Sequence, residues 1–187
     1  MRYNKEDLIK RQEEGEVLDF MLFFGSIPSP NGEVIKTCFS QWWVASFKDE
    51  NNVSYLTAEH YMMAAKARLF NDDETLAAIL IAQHPKEVKK LGRNVFDFYE
   101  ETWNEHKFDI VVKGNLFKFS QNENLKSFLL STQNKILAEA SPFDRIWGIG
   151  LGETNPIAKS VKMWKGDNLL GFALMEVRDI LLAQNDY

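Results

Sequence analysis

The sequence predicts an α+β fold: a single compact, mainly helical domain over residues 1–187, with a few short strands near the N-terminus. Three observations predict it. The 187 residues suit one core, and a composition of 45% hydrophobic and 13% aromatic residues can fill that core without disulfide staples. β-branched and aromatic residues gather before Thr57, in short runs separated by turn signals. From Thr57 onward, apolar and small residues recur three or four apart, the spacing of one helical face.

The elements follow in order. Asn4 to Glu16 reads as a polar helix, with Asn4 placed to cap it. Val17 to Phe24 is apolar and extended. Gly25 to Gly32 is a loop rich in Gly, Pro, Ser and Asn, and Asn31-Gly32 is the strongest hairpin signal in the chain. Val34 to Phe47 and Val53 to Leu56 read as short strands, which makes Cys38 a small buried strand residue. Thr57 caps a helix through Leu69, on which Ala58, Met62, Ala65 and Leu69 share a face. Asp72 to Gln83 is a second helix. Pro85, suited to a first turn, opens a third that ends at Gly92. Asp97 is placed to cap a long aromatic helix towards Phe119, with Gly114 as a kink point. Glu123 to Ser131 continues as helix, and Ile136 to Ala140 reads as a strand. Ser141 to Asn155 is a loop with glycines at alternate positions 148, 150 and 152. Asn168 is placed to cap a last helix through Leu182.

Charge and cysteine usage narrow the function classes. The net charge of −5 argues against bulk attraction to duplex nucleic acid and leaves room for a local basic pocket holding one or two phosphates. The lone Cys38 cannot form an internal disulfide, which fits a reducing compartment. No run of about 18 apolar residues spans a membrane, and the N-terminus lacks an apolar signal core. A cytoplasmic protein that acts without a membrane is expected.

Several residues carry chemistry, and each has a plainer reading beside it. Glu59 falls in the first turn of its helix, where the dipole favours a carboxylate; the same position serves stability or chemistry. Lys66 lies seven residues on, two turns along the same face, with Met63 between them. The pair either lines a cleft or is a capping acid and a solvated lysine. His60, His84, His106 and Cys38 show no metal-ligand spacing, so no metal is expected. Walker A and nucleophile-elbow motifs are absent. The Gly148-Ile-Gly-Leu-Gly152 run departs from a dinucleotide fingerprint at Glu153, yet its glycines permit close backbone approach. Asp144 and Trp147 share that loop, either lining a site or closing a tight turn. Arg93 can hold a phosphate in a fork or pair with a surface acid. Lys118 suits the C-terminal end of its helix. Trp103, Trp42 and Trp43 can stack on a base or fill core.

Taken in order, these segments resemble the NADAR family of YbiA-like proteins. The resemblance runs from about Phe23 to Leu181. It rests on Thr57-Ala-Glu-His-Tyr61 with Ala65-Lys66, Leu91-Gly92-Arg93, Trp103, Lys118-Phe119-Ser-Gln-Asn122, Leu129-Leu-Ser-Thr132, Glu139-Ala-Ser-Pro142 with Asp144, Trp147 and Gly148, Trp164-Lys-Gly166, Asn168-Leu-Leu-Gly171 and Leu174-Met-Glu-Val-Arg178. It implies a compact, mainly helical fold and hydrolysis of an N-glycosidic bond between ribose and a base or amine. It implies two substrate classes: early phosphoribosylaminopyrimidine intermediates of riboflavin synthesis, and ADP-ribose attached to guanine as a nucleic-acid modification. Glu59 matches the family's essential glutamate and Lys66 a lysine that attacks the anomeric carbon. Asp144, Trp103 and Trp147 match polar and aromatic pocket positions, and Asp144 joins Glu59 and Lys66 in the expected catalytic set. Phe24, Arg93, Lys118, Gly148 and Gly150 complete the expected substrate-binding set. Phe23-Phe-Gly-Ser26 stands where many relatives carry Phe-Ser-Asn-Phe, a departure expected near the base-binding wall.

The chemistry is physically coherent. Breaking a ribosyl C–N bond develops oxocarbenium character, which a carboxylate stabilises. A carboxylic acid of raised pKa can instead protonate the leaving base. An amine nucleophile adds a covalent Schiff-base route after ring opening. Neither route requires a metal or cofactor. A non-catalytic ADP-ribose or nucleotide-binding module and a partner-binding helical protein are the competing readings.

Overall fold

The computed structural model describes residues 1–185. Its elements run α1 (Lys5–Glu13), β1 (Phe20–Phe23), a 3-10 turn (Lys36–Phe39), β2 (Phe47–Lys48), β3 (Ser54–Tyr55), α2 (Ala58–Leu69), α3 (Asp73–Ile81), α4 (Pro85–Arg93), α5 (Glu100–Ser120), α6 (Glu123–Ser131), β4 (Ile136–Glu139), a second 3-10 turn (Val161–Met163) and α7 (Leu169–Asn185). This is the α+β, mainly helical class expected from the sequence. The described residues form two compact units: residues up to Ser40 together with those from Asn124 onward, and Gln41–Glu123. No helix among the described residues is long and apolar enough to cross a membrane.

In the first unit β1 pairs with β4 in parallel, Phe20 opposite Ile136 and Phe23 opposite Glu139. The hairpin signalled by Asn31-Gly32 does not form. A turn does close there, with the Gly32 N–H donating to Ser29 O (3.0 Å) and Gly32 at φ 77°. The chain then enters the 3-10 turn instead of a returning strand. The physical reason lies in β1, an unbroken apolar run whose Leu22 and Phe23 are buried. Such a strand suits a covered parallel pair better than an exposed hairpin. The strands expected across Val34–Phe47 shrink to Phe47–Lys48, which pairs antiparallel with Ser54–Tyr55 in the second unit. Cys38 is therefore buried in a 3-10 turn, not a strand. The apolar signal there meets core contacts: Phe39 packs edge-on to Phe23, with ring centroids 5.4 Å apart.

Asn4 caps α1 as expected, accepting from the Asp7 N–H at 2.8 Å. Asn168 does not cap α7. Its amide donates to Leu137 O (3.0 Å) and accepts from the Glu139 N–H (3.0 Å), so the side chain continues the β4 ladder. The residue sits at φ 58°, a conformation Asn tolerates better than most. Gly171 lets α7 approach β4, since a Cβ there would lie 2.1 Å from Leu137 O.

In the second unit α2 packs against α3, α4 and α5. Its cap, Thr57, accepts from the His60 N–H. Asp72 caps α3 by accepting from the Thr75 N–H (2.9 Å), and its other oxygen accepts from the Phe96 N–H (2.8 Å). Asp97 does not cap α5. It lies in a left-handed turn at φ 54°, and the helix begins three residues later with Tyr99 at the cap position. Nor does Gly114 break α5, which runs continuously through it. Its role is close approach: a Cβ there would lie 2.5 Å from Tyr61 Cδ1.

His60 is a buried structural histidine. Its Nε2 lies 3.1 Å from Ala82 O, which can only accept, so the proton sits on Nε2. Nδ1 then accepts from the Thr57 hydroxyl at 2.8 Å. Burial pushes its pKa below 6.5. The unfolded chain therefore binds this proton first as pH falls. The contribution is fully present above pH 6.5 and is lost as pH drops towards the depressed folded value. Denaturant titrations between pH ~5 and 7 should show stability falling on the acid side, by up to ~1.4 kcal/mol per pH unit from this group. His60→Gln should flatten that slope. An unchanged slope would exclude His60 as its source.

Candidate active site

The chemistry-bearing face of α2 is built from an unusually buried helix. Every residue from Ala58 to Ala64 is buried, as are Lys66 and Ala67. A helix buried almost all round carries polar side chains only where they are satisfied or used. Glu59 occupies the first turn at 3% exposure, and its N–H donates to Gln41 O at 2.9 Å. The helix N-terminus favours its charged form.

Lys66 is 8% exposed, far from the solvated lysine that spacing alone allows. Its Nζ donates to Gly92 O at 2.7 Å. The ammonium stands 4.0 Å from the centre of the Phe98 ring and 5.6 Å from that of Trp103. Burial pushes the Lys66 pKa down. A desolvated amine is more often neutral, the form that attacks an electrophilic carbon. Gly92 creates this arrangement. A Cβ there would lie 2.0 Å from Met63 Sδ, so a larger residue at the end of α4 would displace the Met63 side chain beside the carbonyl that holds Lys66.

The other candidates of this unit fall into three groups. Trp103, half-buried in α5, joins the Lys66 cluster. Arg93, adjacent to Gly92, is exposed and in no ion pair among the described residues. Lys118 has no exposed surface, so it is a buried cation near the end of α5 rather than a surface one. Its Nζ lies 5.1 Å from the Phe119 ring centre. Trp42 stands 5.8 Å from Lys89 Nζ in an open groove with His84, Pro85 and Lys86. Sequence reasoning missed Phe98, which is 41% exposed and packs edge-on to Phe70 at 5.3 Å. No spacing marks it, because it lies in an irregular turn between α4 and α5.

The first unit holds the remaining candidates. The Asp144 carboxylate accepts from the Ile146 N–H (2.9 Å) and the Trp147 N–H (2.7 Å). The Asp144 N–H donates to Ser141 Oγ (3.2 Å). Asp144 therefore shapes the loop that presents Trp147, which is half-buried. At Gly148 a Cβ would lie 2.9 Å from Glu139 O, and Gly150, at φ 67°, faces the Lys165 Cβ position at 2.9 Å. The space these glycines free is taken by the protein's own chain. Phe24, just past β1, is 47% exposed. No group of three or more His, Cys, Asp or Glu able to hold a metal occurs among the described residues.

Comparisons with known proteins agree on one group. The family model described as the NADAR domain matches residues 30–182. The chain is 43% identical over 164 residues to N-glycosidase R617 of Acanthamoeba polyphaga mimivirus, spanning 86% of this chain and 95% of that protein. It is 31% identical over 144 residues to the chloroplastic riboflavin biosynthesis protein PYRR of Zea mays, covering 72% of this chain and 21% of that protein. Its fold is similar to the NMR structure of the E. coli protein YbiA, with a TM-score of 0.69, 25% identity and coverage of 95% and 94% of the two chains.

Proposed function

Because this chain belongs to the NADAR family, we propose that it hydrolyses the bond between ribose C1 and a base or amine nitrogen in a phosphate-bearing substrate, with Glu59 and Lys66 as its reacting groups. The activity is that of an N-glycosidase. The observation that carries the assignment to Lys66 is its environment. The amine is nearly buried, bonded to a single backbone carbonyl and bordered by two aromatic rings.

The burial supports a covalent route. The neutral Lys66 amine attacks C1, and the C–N bond to the base breaks with its electron pair leaving on the base. The base takes up a proton. Opening of the ribose ring leaves a protonated Schiff base at C1, and water adds to it to release the ribose with its phosphate and restore the amine. Glu59 stabilises positive charge at C1 as the bond breaks, or moves the proton. Trp103 borders the substrate beside Lys66. Arg93 takes a phosphate, which its exposed guanidinium beside Gly92 favours.

Phosphoribosylaminopyrimidines of riboflavin synthesis are the first substrate class in this reading. The likeness to a protein named for riboflavin biosynthesis supports them. ADP-ribosylated guanine is the second. The test is incubation with phosphoribosylaminopyrimidines, ADP-ribosylated guanosine and NAD, with free base followed by mass spectrometry. Release from one of the first two at a rate dependent on protein concentration is expected. Saturable binding without release from any of them would make the chain a nucleotide-binding module.

A further inference from the structure

We propose that Phe98 is the positioning residue of the Lys66 amine, its ring face and the Gly92 carbonyl together setting the direction from which the amine attacks. The proposal rests on the reading of Lys66 as nucleophile and adds a residue that neither spacing nor family likeness marks.

A lysine side chain has four rotatable bonds, and a free amine at its end samples many directions. Here two contacts remove that freedom. The Gly92 carbonyl accepts from Nζ at 2.7 Å, and the Phe98 ring lies 4.0 Å from it. That is well inside the ~6 Å range over which a ring face attracts an ammonium. Trp103, at 5.6 Å, is a more distant second face. Phe98 is 41% exposed while Lys66 is 8% exposed, so the ring that faces the amine also reaches solvent.

The turn that carries Phe98 is itself anchored. Asp72 accepts from the Phe96 N–H while its other oxygen caps α3. Asp97 then reverses the chain at φ 54°, and Phe98 packs edge-on to Phe70. Phe96 and Tyr99, on either side, are 76% and 62% exposed and lack this packing role for Lys66. Of these three aromatics Phe98 is the least exposed, held between Phe70 and the Lys66 amine.

The test uses the full chain with Phe98→Leu, which keeps an apolar side chain but removes the ring face, and Phe98→Tyr, which keeps the face. Phe96→Leu is the control. Two readouts are taken: the rate at which formaldehyde and cyanoborohydride methylate Lys66 at one pH, located by peptide mass spectrometry, and the split of kcat from KM on a cleaved substrate. Phe98→Leu should raise Lys66 methylation severalfold and lower kcat about 10-fold with little change in KM. Phe98→Tyr and Phe96→Leu should match wild type in both. Methylation that is unchanged in Phe98→Leu, or changed equally in Phe96→Leu, overturns the proposal. Faster methylation with unchanged kcat shows that the ring covers the amine without directing its attack and also overturns the proposal, while the role of Lys66 itself is decided by borohydride trapping, so the two ideas fail separately.

Discussion

Glu59→Gln should lower kcat by at least ~100-fold while leaving fold and substrate affinity nearly intact. The substitution preserves side-chain shape and helix propensity. The backbone bond from the Glu59 N–H to Gln41 O does not involve the side chain and survives. What disappears is the negative charge and the capacity to exchange a proton. A carboxylate that serves only the helix dipole contributes about 0.3–1 kcal/mol to stability and nothing to turnover. The two roles therefore separate cleanly. Loss of kcat with an unchanged thermal midpoint marks a group used in the transition state. A lowered midpoint with wild-type kcat on every cleaved substrate would return Glu59 to a helix-end carboxylate.

Lys66→Ala should abolish turnover if the amine forms the bond to C1. Borohydride should then trap a ribosyl adduct on the wild-type chain, at Lys66 by peptide mass spectrometry, and none on the variant. Direct attack by water predicts no adduct and a milder defect. The variant also removes a donor from the Gly92 carbonyl, and an unsatisfied buried acceptor costs about 1–3 kcal/mol. Lys66→Met leaves the carbonyl equally without that donor but keeps most of the apolar stem, so it controls for the cavity that Lys66→Ala opens. Equal loss of turnover in both variants, with Lys66→Met still folded at the assay temperature, isolates the amine. Residual activity near wild type in Lys66→Met would rule out the covalent route.

Much of this molecule was readable from residue order because its signals are local. A cap such as Asn4 or Thr57 acts within three residues, and the observed caps accept from Asp7 and His60. Pro85 opens α4 because it lacks an N–H that the first turn leaves unpaired anyway. Helical periodicity marked α2, and its first turn placed Glu59. The segments that carry the family likeness are ordered stretches, legible without coordinates.

The misread positions were those whose partners lie far along the chain. Asn31-Gly32 closes a turn, but strand pairing is a competition, and β4 wins β1 because both bury apolar side chains. Asn168 has a cap's chemistry, yet its amide bonds to Leu137 O and the Glu139 N–H of β4. Asp97 is likewise a capping residue in type, but the bond that sets its turn is Asp72 to Phe96, which no periodicity encodes. Lys66 shows the difference most plainly. Sequence placed it two turns from Glu59 and left it either solvated or in a cleft. Its burial, its carbonyl partner and the ring beside it come from α4 and the turn that follows it, segments far along the chain from Lys66. Local sequence decides where a helix starts and which face a residue takes; the desolvation that makes an amine reactive is a property of what packs against that face, and only the assembled chain supplies it.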